Sequence, residues 1–242
     1  MQESKGRIIQ WVNEIRIFRK LRFLFVYPLV IGAVWTAHTT ENQLKAGILI
    51  VAFGEALRLW ANGYVGHRKV AVSAAGSAKI GRLITGGPYA FVRNPLYLGS
   101  GLIGAGSCVA MGSLWLGGLA LALFLLIYDQ KIREEEARIR SEWGSDYDRY
   151  CGAVPRWIPT GRRYTDRFGE WTWQGILASK EWKTLIWAAV GILALYLREE
   201  IIQEHEFMSP EGWGRQAAAI ALILALVLSD LICEKKKVSA PG

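Results

Sequence analysis

Apolar runs separated by short charged links set the pattern of this chain, and the runs are too long for strands, so the pattern predicts helices. The runs cover about 23–37, 44–60, 97–128, 184–197 and 217–232. As one helix, the run from Tyr97 to Tyr128 would reach about 48 Å, against a hydrocarbon core of about 30 Å. Gly112-Ser113 near its middle offers a turn, which predicts a hairpin of two shorter helices with both ends on one side. The segment Asp129 to Pro159 is charged but begins with helix formers, so the second arm is expected to continue as a helix beyond its apolar part. Residues 1–22 place Ile8, Trp11, Val12, Ile15 and Phe18 at helical spacing among basic residues, as in an amphipathic surface helix. Residues 66–85 read as a basic loop, and 160–182, with Trp171, Trp173 and Trp182, as an interfacial segment. The expected fold is all-α, a polytopic transmembrane helical bundle of about six spans. Its parts are 1–43 (amphipathic helix and first span), 44–160 (core with the hairpin) and 161–242 (interfacial segment and two further spans).

Composition sharpens this expectation. Of 242 residues, 52% are hydrophobic and 21% charged, with a net charge of +8, a balance suited to a membrane helix protein with a large polar face. The basic residues flank apolar runs, which favours a bilayer over nucleic acid as partner. The positive-inside rule puts both termini, the loop before Gly86 and the segment after the hairpin in the cytoplasm, with the chain in a bacterial inner membrane or one of endoplasmic-reticulum type. No cleaved signal peptide is expected, because the first apolar run follows a long basic segment and lacks a small-residue ending. Cys108, Cys151 and Cys233 and the three histidines are scattered, so neither a disulfide framework nor a metal site is expected.

Three features bear on chemistry. Gly99 to Gly104 spells GxGxxG but follows no strand, so its small residues are better read as letting helices approach closely. Glu55 and Arg58 lie three residues apart on one helical face, either as a structural ion pair or as a site in a wet cavity. The stretch Gly86 to Gly99, GGPYAFVRNPLYLG, is the most specific. Prolines fix its backbone and glycines permit close approach, while Arg93, Asn94, Tyr89 and Tyr97 supply hydrogen-bonding groups and aromatic faces. Asn94 before Pro95 also reads as a helix cap. Downstream, Glu134-Glu135-Glu136 is followed by Tyr147, Tyr150 and Arg156.

With Gly-Pro-Tyr…Arg-Asn-Pro-x-Tyr-x-Gly at 87–99 and Glu-Glu…Gly…Tyr…Tyr…Pro at 135–159, the chain resembles the integral-membrane methyltransferases. These include isoprenylcysteine carboxyl methyltransferase and phosphatidylethanolamine N-methyltransferase. The resemblance covers roughly residues 50–160 and implies S-adenosylmethionine as cofactor and a membrane lipid as substrate. It implies cofactor contacts from Tyr89, Arg93, Asn94, Tyr97, Gly99, Glu135, Glu136 and Gly63. It also implies substrate contacts from Tyr147 and Tyr150, with Arg58 completing the site at its helix end; Glu55 joins them as the acid on the same face as Arg58, and methyl-transfer chemistry suits catalytic roles for Glu136, Arg93, Arg156 and Tyr150. Many members carry His where this chain has Asn94, and an amide does not titrate, so a proton-transfer role does not carry over. The preferred acceptor is a phospholipid headgroup amine, with an isoprenylcysteine-type carboxylate as the alternative. A transporter using Glu55 and Arg58, or an NADPH-dependent membrane reductase, are readings from other classes.

Overall fold

A computed structural model describes residues 39–75, 83–159, 161–179, 182–204 and 212–238. These lie in one unit, Thr39–Gly242; the other unit, Met1–His38, which holds the expected surface helix and first span, is outside the described residues. Seven α-helices follow in order: α1 (Glu41–Ala75), α2 (Pro95–Ala110), α3 (Leu114–Trp143), α4 (Ser145–Ala153), α5 (Trp173–Ser179), α6 (Trp182–Glu204) and α7 (Trp213–Val238). A 3-10 turn, Gly87–Ala90, precedes α2, and no strand occurs among the described residues.

Among the described residues the all-helical expectation holds, but the membrane spans expected there do not. Among the described residues, no helix is long and apolar enough to cross a membrane. The reasons are local. The α2 helix has 16 residues and therefore rises only about 24 Å. The α3 helix has 30, yet its apolar run ends at Tyr128 and a charged half follows. Lys45, Glu55 and Arg58 interrupt α1, and Arg198, Glu199 and Glu200 load the end of α6. The structure gives no orientation, so the sides assigned by the positive-inside rule stay an expectation. The loop expected from Gly66 is also corrected, since α1 continues through Ala75 on a sequence rich in Ala, Arg and Lys.

The predicted hairpin is present. The α2 helix ends at Ala110, Gly112 turns the chain at φ +70°, and α3 starts at Leu114. A Cβ at Gly112 would be strained in that left-handed conformation. As expected from its helix formers, α3 runs unbroken through the charged segment to Trp143, where Gly144 at φ +53° redirects the chain into α4.

The α1 and α2 helices pack antiparallel along a seam of small residues. Gly54 faces Gly99 and Ile103, and one heptad away Gly47 faces Gly106 and Ala110. A Cβ added at Gly54 would lie 2.8 Å from the Gly99 carbonyl oxygen, and one at Gly106 would lie 2.8 Å from the Val51 amide nitrogen. Backbone touches backbone, so even a methyl group would separate the helices. This is how the GxGxxG letters are used: Gly99 is in the seam, whereas Gly104 has open space around its missing side chain.

Residues 161–172 form an extended strap that ties the region before α2 to the middle of α1 at Gly63. Thr85 and Gly86 both donate backbone N–H groups to the Phe168 carbonyl at 3.0 and 2.9 Å, Tyr164 N–H donates to the Ala90 carbonyl, and Thr172 N–H to the Gly63 carbonyl.

Candidate functional site

The stretch before α2 is held as a rigid entry. Gly87 sits at φ +60°, and a side chain there would run into the Tyr64 ring. Pro88 and Val92 are buried, and Phe91 and Val92 donate back to the Pro88 carbonyl. Arg93 is fixed twice, to the last turn of α4 and to the chain just beyond it. Its N–H donates to the Pro155 carbonyl at 2.9 Å, and its Nη1 donates to the Cys151 carbonyl at 3.2 Å.

Asn94 occupies the N-cap position of α2 with Pro95 next, but its side chain makes no capping bond. Its Nδ2 instead donates to Glu136 Oε1 at 3.3 Å and to the Arg156 carbonyl at 3.4 Å. The expected cap is thus a cap in place only. The amide is drawn away by a carboxylate, a stronger acceptor for its N–H than a neutral group.

Glu136 is the centre of this cluster. It is 6% exposed and projects from the face of α3 that also carries Asp129 and the fully buried Ile132, at i, i+3 and i+7. Arg156 Nη2 donates to Glu136 Oε2 and its Nε donates to Oε1, a bidentate clasp. Arg93 Nε lies 3.3 Å from Glu136 Oε1. Asp129 reaches Arg156 from one side at 3.4 Å and Arg133 from the other at 2.6 Å. The hydrogen bonds to Glu136 push the Arg156 guanidinium further above its usual range. Two sequence blocks, 93–94 and 136–156, therefore meet in one ionic core.

Glu135, one residue away, faces a different neighbourhood. Burial, with the Glu135 carboxylate close by, pushes the Tyr97 phenol well above its ordinary value. Tyr97 packs against Tyr128 of α3 with ring centroids 5.4 Å apart, and Phe124 lies 4.4 Å from Tyr128. Glu134 is exposed and accepts from Gln130 at 3.3 Å, as a solvated acid.

The other expected site residues are spread around these two clusters. Tyr89 is half-buried in the 3-10 turn, and its carbonyl accepts from the Tyr150 hydroxyl at 2.7 Å. Tyr150 and Tyr147 are buried at 3% and 2% in a core with Val154, against Leu83, Ile139, Trp143 and Tyr164, and burial raises both phenols. Gly99 lies under the Arg58 side chain in the helix seam. Arg58 donates to Ser100 Oγ and the Leu96 carbonyl on α2 and to Thr184 Oγ1 on α6. Glu55 is buried on the same helix. Gly63 is covered by the Trp171 indole of the strap, at a spot where any side chain would collide with it. The sequence reading did not single out Asp129, Tyr128, Lys131, Ser100 or Thr184. The spacing of Asp129, Ile132 and Glu136 was the available signal for the first.

The donor set suits a zwitterionic cofactor carrying an amino-acid end. Acids and guanidinium groups lie side by side, and Asn62, fully buried one turn along α1 from Arg58, leaves its Oδ1 without a hydrogen-bond partner. An unsatisfied buried acceptor costs about 1–3 kcal/mol, a cost that a ligand N–H or O–H would remove.

The chain can now be set beside known proteins. Residues 42–145 match the family described as phospholipid methyltransferase. The chain is similar to a nickel-cobalt-cadmium resistance protein, NccN, of Alcaligenes xylosoxydans xylosoxydans, 29% identical over 143 residues, which cover 55% of this chain and 61% of that protein. It also resembles the protein-S-isoprenylcysteine O-methyltransferase of Schizosaccharomyces pombe, 35% identical over 81 residues, 32% of this chain and 33% of that protein. The matches thus span less than two thirds of either relative. No solved structure matches the chain. The matched segment, less than half of the chain, takes in most of α1, the Gly86–Gly99 stretch, the hairpin and Glu136, and it is over these residues that the chain is similar to the phospholipid methyltransferase family.

Proposed function

We propose that this chain transfers a methyl group from S-adenosylmethionine to a membrane lipid, preferably to the amine of a phospholipid headgroup, and that the core 44–160 carries the chemistry. The observation that supports this most is the convergence of Arg93 and Asn94 with Glu136 and Arg156 across 42 and more residues of sequence. S-adenosylmethionine supplies an electrophilic methyl group on a sulfonium, open to in-line attack by a nucleophile. The residues have to hold a zwitterion, align the acceptor and exclude water.

The roles follow from what each group has free. Glu136 spends both oxygens on guanidinium and amide donors, so it fixes Arg93 and Arg156 in place. Those two cations are then presented to a carboxylate or a phosphate. Glu135, near the Tyr97 phenol, is the candidate to take a proton from an amine acceptor or to meet the cofactor's ammonium. Asn62 Oδ1 offers a buried acceptor. Tyr150 acts through the Tyr89 carbonyl and so positions the 3-10 turn. Exposed Trp115 and Leu126 on α3, Trp187 on α6 and Leu224 and Leu228 on α7 favour contact with lipid, from which an acceptor could enter sideways between helices.

The similarity to an isoprenylcysteine O-methyltransferase favours a second acceptor, a carboxylate, which needs no base. Incubating the full chain with methyl-labelled S-adenosylmethionine, phosphatidylethanolamine vesicles and a prenylated cysteine decides between them. The expected product is an N-methylated headgroup; an alkali-labile methyl ester would move the assignment to the carboxylate. Absence of both cofactor binding and label transfer would overturn the proposal.

A further inference from the structure

The α3 helix carries a second stripe beside the Asp129–Glu136 face: Tyr128, Lys131 and Glu135, again at i, i+3 and i+7. Tyr97 of α2 completes it from across the hairpin. The two tyrosine rings meet at 56°, with centroids 5.4 Å apart, and so form two walls of a corner. Phe124 backs Tyr128 at 4.4 Å. The Lys131 ammonium sits in this corner, 5.6 Å from the Tyr97 centroid and 5.8 Å from the Tyr128 centroid, within range of both π faces at once. Glu135 shares the stripe, and its carboxylate adds to burial in raising the Tyr97 phenol.

A corner of two aromatic faces with a carboxylate at its edge is the arrangement that favours a large, weakly hydrated cation bearing methyl groups. A primary ammonium is a poorer occupant, because it is strongly hydrated and gives up more water. Lys131 is exposed on a flexible stem and can withdraw into solvent without leaving a charge buried. We propose that the Tyr97–Tyr128 corner is a binding seat for a methyl-bearing onium group, and that Lys131 fills it until such a group displaces it. The inference rests on the methyl-transfer reading above and extends it. Two sources share this chemistry, a methylated ammonium headgroup and the cofactor's sulfonium.

Titration calorimetry on the full chain with choline, and with its neutral isostere 3,3-dimethylbutan-1-ol, tests the seat without requiring turnover. Choline should bind about tenfold or more tighter than the isostere. Tyr128→Leu should remove most of that preference, Tyr128→Phe should keep it, and Lys131→Met should tighten choline several-fold by removing a competitor. Equal binding of choline and the isostere overturns the proposal, as does an unchanged or weaker affinity in Lys131→Met, a surface change that asks nothing of the core. Competition identifies the source: displacement of choline by S-adenosylmethionine points to the sulfonium, and displacement by phosphatidylcholine vesicles points to the headgroup. A chain that binds choline in this way but transfers no methyl group keeps the seat and loses the proposed reaction; a chain that transfers methyl without preferring choline does the reverse.

Discussion

The ionic cluster around Glu136 and the aromatic corner around Tyr97 occupy neighbouring stripes of α3, yet they differ in what they leave free. Glu136 is buried and its two oxygens accept from Asn94 and Arg156, with Arg93 alongside, so the cluster is closed. The corner is half-exposed, and the cation in it belongs to a side chain that can move away. The first arrangement suits a keystone that fixes backbone segments, and the second suits a seat that exchanges its occupant. One residue of register, Glu135 against Glu136, separates the two roles, because successive helix positions point about 100° apart.

The largest test of this contrast removes the keystone. Glu136→Ala leaves Arg93 and Arg156 without their shared carboxylate, which should cost about 3 kcal/mol in urea unfolding and abolish methyl transfer. Glu135→Ala should leave the unfolding midpoint nearly unchanged while reducing transfer. Equal destabilisation by the two would remove the distinction. A smaller effect is expected from Asn94→Ala, which deletes two donated hydrogen bonds and no capping bond. The cost should be about 1 kcal/mol, and Asn94→Ser, a good N-cap residue, should not restore it. Recovery by Ser would mean that capping is the role after all.

The smallest effect concerns the support behind the 3-10 turn. Tyr150→Phe removes the hydroxyl bond to the Tyr89 carbonyl and should cost about 1 kcal/mol or less near neutrality. Burial raises the folded-state pKa of Tyr150, so its contribution to stability is fully present below the ordinary value of about 10 and is lost as pH rises above it. Unfolding curves from about pH 8 to about pH 11 should therefore fall less steeply for Tyr150→Phe than for the parent chain.

Much of the frame was legible in the residues. The hairpin followed from an apolar run too long for one helix with Gly112-Ser113 at its centre, and the long α3 followed from the helix formers after Asp129. The pairing of the Arg93-Asn94 stretch with the acidic segment followed from motif resemblance. The membrane spans were misread because apolar content was counted along runs, whereas a span needs unbroken length. The Asn94 cap was read from its neighbour Pro95, a local cue, and a carboxylate 42 positions away took the amide. Tyr128 and Lys131 carried no local signal at all, since a tyrosine at the end of an apolar run is ordinary.

By itself the sequence determined the hairpin turn at Gly112-Ser113 and the unbroken run of α3, because glycine turns and helix propensity act over a few residues; it did not determine that α1 runs on past Gly66. It also pointed to Gly86–Gly99 and Glu134–Arg156 as polar stretches, and residues of the two do meet, Asn94 with Glu136 and Arg156 and Arg93 with Glu136. Only the tertiary structure decided that Glu136 closes the ionic core while Glu135 opens onto two tyrosines, and that Arg58 braces α2 and α6. Those outcomes depend on the rotation of α3 against α2 and on the closeness of the α1–α2 glycine seam, and no single segment encodes either.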